Sequence, residues 1–386
     1  MPLATLAQEK NELEPGWLSL DKIIGPFDSK VDDTKLALRR ALGINIDAFL
    51  DVSYTYSFNH PGSGNHREIS LREFDRDHNR VVFNDFHISL EKPEHDWGVG
   101  LKLAADFGRT AEILRQSTFW GTQRSRGGAA ELREAFLTST IPVGQGLKVK
   151  GGWFESPLGL ESLPHPGSYN DNISRSFLFN FAVPHRHLGL LFTYPIHKVL
   201  SVSAGPVTGW DMVGDINHQP SFLGSMTLSP NKAFSWESGL VVGPEQRHRS
   251  GPKRLAWSNV VTIEPNEALT LSFEYTYGHE EKVTASLRAG TWQGVAAIAS
   301  HDWTDRFTTA LRGEFFNDRD GVVNEVLARN VRLGELTLTG AYKFTAKLLG
   351  RVEARQDWAN RSIFQQGDTG AKKNQTTLAL QVIYAF

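Results

Sequence analysis

The sequence predicts an all-β fold, a transmembrane antiparallel up-and-down barrel of about sixteen strands, and three observations predict it. Apolar residues recur at period two in segment after segment from Gly43 to Phe386. The connections between those segments alternate strictly between long and short. No run approaches about 18 consecutive apolar residues, which excludes a transmembrane helix but not a membrane-crossing strand.

The last segment shows the pattern most cleanly. In TTLALQVIYAF, Leu378, Leu380, Val382, Tyr384 and Phe386 share one face. Thr377, Ala379, Gln381, Ile383 and Ala385 share the other. A tilted strand needs about 9–11 residues to cross the hydrocarbon core, which this segment supplies. The first segment repeats the design. Ile44, Ile46, Ala48, Leu50, Val52, Tyr54, Tyr56 and Phe58 oppose Asn45, Asp47, Asp51, Ser53, Thr55 and Ser57, with Phe49 the single intruder. A helix cannot make a stripe of period two, so this is a strand with lipid on one side and water on the other.

Between these two, the alternation places strands at about 81–92, 97–107, 131–141, 146–156, 187–195, 199–211 and 220–229. Further strands follow at 233–243, 254–263, 268–278, 291–302, 305–317, 334–345 and 347–358. With 43–58 and 375–386 the total is sixteen, an even number as bacterial barrels require. Short connections fall at KPEHDW, PVGQG, PIHKV, SPNKA, EPNEA, DWTDR and FTAK, most of them carrying Pro, Gly, Asn or Asp for tight turns. Long ones fall at about 59–80, 108–130, 157–186, 212–219, 244–253, 279–290, 318–333 and 359–374. This asymmetry predicts short periplasmic turns and long extracellular loops. Trp97, Tyr194, Trp303 and Phe344 sit beside short turns, joined by Tyr384 and Phe386, while Trp210, Tyr277, Phe316 and Trp358 sit at the opposite ends. Two interfacial belts are therefore expected.

Residues 1–42 read as an N-terminal periplasmic extension or small plug, with a short helix in DDTKLALRRAL starting near Asp32; residues 43–386 read as the barrel. The N-terminus MPLATLAQEKNELEPG has neither a basic region nor an apolar core, so an exported barrel is expected here as a mature form or with an added Met1. A net charge of −2 supplies no basic excess to neutralise phosphates, which argues against nucleic acid. The mean hydropathy of −0.32 is compatible with a membrane barrel because only alternate residues meet lipid. The absence of cysteine excludes disulfides, thiolate metal sites, attached c-type haem and cysteine nucleophiles.

The local wording then narrows the class. SRSFLFNFAVPHRHLGLLFTYPI followed by KVLSVSAGPVTGWDMVGD resembles the beta-barrel porin-2 (OmpL-like) family of Gram-negative outer-membrane proteins. VVFNDFHISLEKP, GGWFESPLGLES, LRGEFFNDRDG and KKNQTTLALQVIYAF are similar to it as well, so the likeness runs from about Gly43 to Phe386. The resemblance implies a single-chain porin that passes small hydrophilic solutes or ions by diffusion, with no catalytic residue and no cofactor. Tyr384 and Phe386 further resemble the signal by which the outer-membrane assembly machinery recognises barrels.

A porin acts through the lining of its lumen. Alternation turns Asp47, Asp51, Lys148, Lys150, Glu274, Arg306, Arg312, Glu314, Arg351, Glu353 and Arg355 inward. An Arg or Lys on the lipid face near the midplane costs about 2–4 kcal/mol, so these charges are expected to face water. Arg312, Arg351 and Arg355 make the best basic ladder; the alternative is ion pairs that serve the barrel's own stability. The mixed signs predict weak selectivity. The segment 157–186 combines four prolines with SFLFNFAV and is expected either to fold into the channel or to pack as a lid or hairpin on the rim. Asp171 and Arg175 are its candidate eyelet charges.

Other motifs are weak. DRDG at 318–321 starts like a calcium loop but lacks the remaining ligands and the terminal Glu. His185 and His187 share a strand face without a third ligand, so no metal is expected. No G-x-S-x-G elbow is present. The reading is an outer-membrane porin whose partners are lipid, the assembly machinery and small solutes, as monomer or homotrimer. The rivals are a plugged barrel whose outer loops bind a partner, and the sheath of an electron conduit, which would need a wider barrel.

Overall fold

The computed structural model describes residues 20–62, 68–94, 98–116, 130–283, 288–323 and 330–386, with side chains from Asp28 onward. Trp97 of the expected belt lies outside the described residues. Fifteen barrel strands run in chain order as β1 Asn45–Ser57, β2 Arg80–Lys92, β3 Gly100–Phe107, β4 Ala130–Ile141, β5 Leu147–Glu155, β6 Arg186–His197, β7 Leu200–Val207, β8 Ser221–Asn231, β9 Phe234–Gly243, β10 Arg254–Asn266, β11 Leu269–Glu280, β12 Gly290–Asp302, β13 Phe307–Asp318, β14 Val331–Lys343 and β15 Leu348–Ala359. A small hairpin, β16 Phe364–Gln366 with β17 Gly370–Lys372, precedes the sixteenth barrel strand, β18 Asn374–Ala385. Every strand pairs antiparallel with its neighbours, and β18 closes the ring by pairing with both β15 and β1.

The two faces obey the alternation and invert the soluble pattern. Outside, Val81, Leu336, Leu338, Val352, Leu378, Leu380 and Val382 are exposed. Inside, Asp51, Arg312, Glu335, Thr337, Arg355 and Asp357 are buried. Burying these charges on the inner wall demands partners, because an unpaired buried charge costs several kcal/mol. Phe49, the intruder, is fully buried in the lumen, stacked on His87 at 5.2 Å and edge-on to Tyr169 at 5.5 Å.

Several expectations need correction. Trp210 and Phe316 are not belt residues. Phe316 is fully buried inside the barrel beside Phe181, and Trp210 packs edge-on against the buried Trp292 at 6.1 Å. Of the expected belt residues, Trp303, Phe344 and Trp358 do lie exposed on the outer face or its rims, and Trp257, which is outside that set, joins them. Arg306 is exposed in the short turn before β13, outside the lumen wall. The N-terminal helix α1 spans Leu20–Leu42 and starts well before Asp32. It ends on Gly43, whose φ of +68° and N–H bond to Arg39 O at 3.0 Å make an αL cap. A second helix, α2 Arg109–Gln116, was not anticipated in the loop after β3.

α1 rests against the closing seam. Lys35 Nζ reaches Asp47 Oδ1 at 2.8 Å and the Phe386 carbonyl at 2.9 Å. Lys347 pairs with Asp32 at 2.7 Å, and the Tyr384 hydroxyl donates to Asp28. The Phe386 N–H donates to Ala48 O at 2.9 Å, so the last residue continues the ladder with β1.

Candidate functional site

The site is the lumen, and the connection between β5 and β6 fills much of it. This segment, residues 156–185, crosses the inside of the barrel and bonds to the inner faces of seven strands. Gly159 N donates to Ser258 on β10 and Leu160 N to Glu274 on β11, at 3.2 and 3.0 Å. Phe177 N and Leu178 N donate to Glu314 on β13 at 2.7 and 2.6 Å. Ile173 N and Ser174 N donate to Glu353 on β15 at 2.6 and 3.1 Å, and Asn172 reaches Thr339 on β14 at 2.7 Å. Trp292 on β12 donates to Ala182 O, and Arg133 on β4 to Pro164 O. Three wall carboxylates thus cap successive loop amides, a use for buried acids that sequence alternation alone does not reveal.

The chemistry of the segment explains its position. Leu178–Ala182 forms a five-residue π-helical turn, and Leu158, Phe177, Leu178, Ala182 and Val183 join one apolar cluster with Phe154, Trp292 and Phe316. An apolar stretch in an otherwise polar channel must bury itself against a matching patch of wall. On its other side, Phe179 packs with Leu163, Phe74 and Leu114 of α2.

The expected basic ladder is an anchor instead. Arg312 pairs with Glu335 at 2.6 Å and Glu161 at 2.8 Å, and donates to Ser174 O at 2.7 Å. Arg355 pairs with Asp357 at 2.6 Å and donates to Arg175 O at 2.6 Å. Arg351 bonds to Gln381 at 2.8 Å and to Asn170 O at 2.5 Å. Gln381 continues the chain to Asp51 at 2.7 Å, and Asn84 closes it at 3.0 Å. Asp51, Glu274, Glu314, Glu353 and these three arginines therefore face inward as expected but are sequestered beneath the segment.

Arg175 is also buried. It lies between the rings of Phe74 and Phe179, at 6.0 and 5.7 Å, and has no ion-pair partner among the described residues. Burial pulls its guanidinium down to about 10. Asp171 stands exposed on the same segment. Arg306 aside, the charges of the expected set that remain in contact with water are Asp47, whose side chain is 47 % exposed, together with Lys148, Lys150 and Asp171. Beside the two lysines lies a cavity of about 320 Å³, lined also by Glu91, Glu94, Lys102 and Thr138.

Residues that sequence reasoning missed complete the lumen. Arg72, in the loop after β1, dips in to pair with Asp75 at 2.5 Å and Asp357 at 2.9 Å. Arg186 pairs with Glu131, and Arg133 with Glu155 at 2.7 Å. Glu335 and Asp357 could have been found by parity, since they alternate with Leu336 and Trp358. Arg133 could not, because a bulge between Ala104 and Ala105 lets Arg133 and Glu134 both turn inward. The weak motifs resolve as structure: Asp318 accepts from Val322 N at 2.8 Å and Asp320 from Thr291 N at 3.0 Å. His187 uses both nitrogens, on Gly209 O and Ser156 Oγ, while His185 bonds to Phe179 O.

A closed sixteen-strand barrel, apolar outside and lined by charge inside, with a long segment folded into its bore, is a porin-type membrane barrel. The chain belongs to the family described as Putative beta-barrel porin-2, OmpL-like, whose profile matches residues 43–386. Solved structures agree in fold. The outer membrane channel DcaP of Acinetobacter baumannii superposes with a TM-score of 0.60 at 12% identity, covering 89% of this chain and 97% of that one. The anion-selective porin from Comamonas acidovorans gives 0.61 at 11%, covering 89% and 99%. OprB of Pseudomonas putida gives 0.56 at 12%, covering 95% and 97%. No curated protein matches the sequence.

Proposed function

We propose that this protein is a passive outer-membrane porin of a Gram-negative cell, without catalysis, in which the 156–185 segment narrows the bore. Small hydrophilic solutes or ions pass through what the segment leaves open, and small anions pass more readily than cations. The observation that carries the selectivity is the segregation of charge. The acids Glu274, Glu314 and Glu353 are consumed by loop amides and Asp47 pairs with Lys35, whereas Lys92, Lys102, Lys148 and Lys150 outnumber Glu91 and Glu94 around the cavity of about 320 Å³. In a narrow low-dielectric passage such fixed charge sets ion preference.

Reversal potentials in a salt gradient test this. The wild type is expected to favour the anion, and Lys148→Gln with Lys150→Gln to move the reversal potential toward the cation value without loss of stability. A wild type that favours cations, or a double variant with an unmoved potential, contradicts the selectivity. We further infer that residues 1–42 form a periplasmic extension docked on the seam through α1, and that residues 43–386 are the autonomous barrel. The α1 contacts are largely solvent-exposed ion pairs, each worth about 0–1 kcal/mol. A chain starting at Gly43 is therefore expected to fold and conduct like the full chain, as judged by heat-dependent gel mobility and bilayer recording.

A further inference from the structure

A cluster of unsatisfied acceptors lies on the inner wall at β2 and β3, away from the groups that hold the inserted segment to β10–β15. Asp85 and His87 stand two residues apart on β2 and so point the same way, and Asp106 on β3 is the cross-strand partner of His87. All three are fully buried. His87 Nδ1 lies 2.6 Å from Asp106 Oδ1. Among the described residues neither carboxylate oxygen of Asp85 makes a well-aligned hydrogen bond, the backbone N–H of Phe107 being the donor that faces it, and Asp106 Oδ2 has no partner. One ligand atom from each of the three residues falls within 4.8 Å of the other two.

Buried carboxylate oxygens without donors are costly, and a cation is the partner that answers several at once. Arg133 is the nearby cation: its Nη1 lies 3.2 Å from His87 Nδ1 and 3.4 Å from Asp106 Oδ1, while its Nε bonds to Glu155 at 2.7 Å, so a bound ion would take the place of Nη1 at the cluster. Once Arg133 is balanced by Glu155, the cluster keeps two carboxylates and one imidazole. We propose that Asp85, His87 and Asp106 bind one divalent first-row transition ion in the lumen wall, with zinc as its probe. Two carboxylates match the charge of the ion, and an oxygen-and-imidazole set without sulfur suits Zn²⁺, Mn²⁺ or Co²⁺. Ligand atoms in a tetrahedral site with bonds of about 2.0–2.2 Å lie roughly 3.4 Å apart, so the His87–Asp106 pair at 2.6 Å must open while any separation nearer the cluster's 4.8 Å limit closes. Ligation at Nδ1 displaces the bond to Asp106 and puts the imidazole proton on Nε2. Three protein ligands leave the fourth position to a water molecule.

Calorimetric titration of the detergent-folded full chain with zinc chloride tests the site, beside Asp85→Asn and Asp106→Asn. Both substitutions preserve shape, and heat-dependent gel mobility verifies the closed barrel. The wild type is expected to bind one zinc ion that each variant binds at least about tenfold more weakly. A wild type that binds no zinc overturns the proposal. So do folded variants that bind zinc as the wild type does, since the ion then sits on other histidines.

Discussion

Arg312→Ala is expected to enlarge the single-channel conductance and to lower barrel stability by about 3–5 kcal/mol, the cost of breaking a buried ion pair from one side. The guanidinium is fully buried and serves Glu335, Glu161 and the Ser174 carbonyl together. Its loss leaves the buried Glu161 without its cation and Glu335 with Arg355 alone, 3.4 Å away, and unties the middle of the inserted segment from β13. The segment still ends on fixed strands, so the barrel remains closed while the bore widens. Planar-bilayer recording reads the first effect and thermal gel-shift the second. Limited proteolysis between 156 and 185 should become fast in the variant and stay slow in the wild type. An unchanged conductance with an intact barrel would mean that the segment does not bound the passage.

Glu314→Gln should act in the same direction with a smaller effect. Its carboxylate accepts from Phe177 N and Leu178 N at the start of the π-helical turn. Hydrogen bonds to a charged group are worth about 1.5–3 kcal/mol, and a neutral amide retains only one acceptor. The expected loss is about 1–3 kcal/mol, with a rise in conductance below that of Arg312→Ala. The two sites grip adjacent stretches of one segment, Ser174 and Phe177–Leu178, so the double variant should be non-additive. Strict additivity in a double-mutant cycle would indicate that the anchors hold independently.

The barrel was legible because period-two alternation depends only on each strand and its two environments. All sixteen strands, the ring closure and the long–short alternation follow from it. The inward orientation of Arg312, Glu314, Arg351, Glu353 and Arg355 was equally legible, being a matter of parity. Their role was not. Parity says which face a side chain leaves from, whereas the partners that tie Arg312 and Arg355 to the loop, Glu161, Ser174 and Arg175, lie more than a hundred residues away in an irregular segment. Phe316 and Trp210 misled for the same reason, since an aromatic near a strand end can face lipid or a loop packed inside. Arg306 failed on a strand boundary. α2 went unread because a short helix in a long loop, whose Leu114 is buried against Phe179 and Leu163 of a distant segment, gives a weak pattern. The Asp85–His87–Asp106 cluster joins two strands, so no spacing in the sequence announces it.

The central claim, a water-filled channel through this barrel, is tested most directly by planar-bilayer recording of the purified, refolded full chain. Stepwise, ohmic openings whose size scales with salt concentration are the predicted result. A silent bilayer with a heat-modifiable, fully folded barrel would contradict it and favour a plugged barrel.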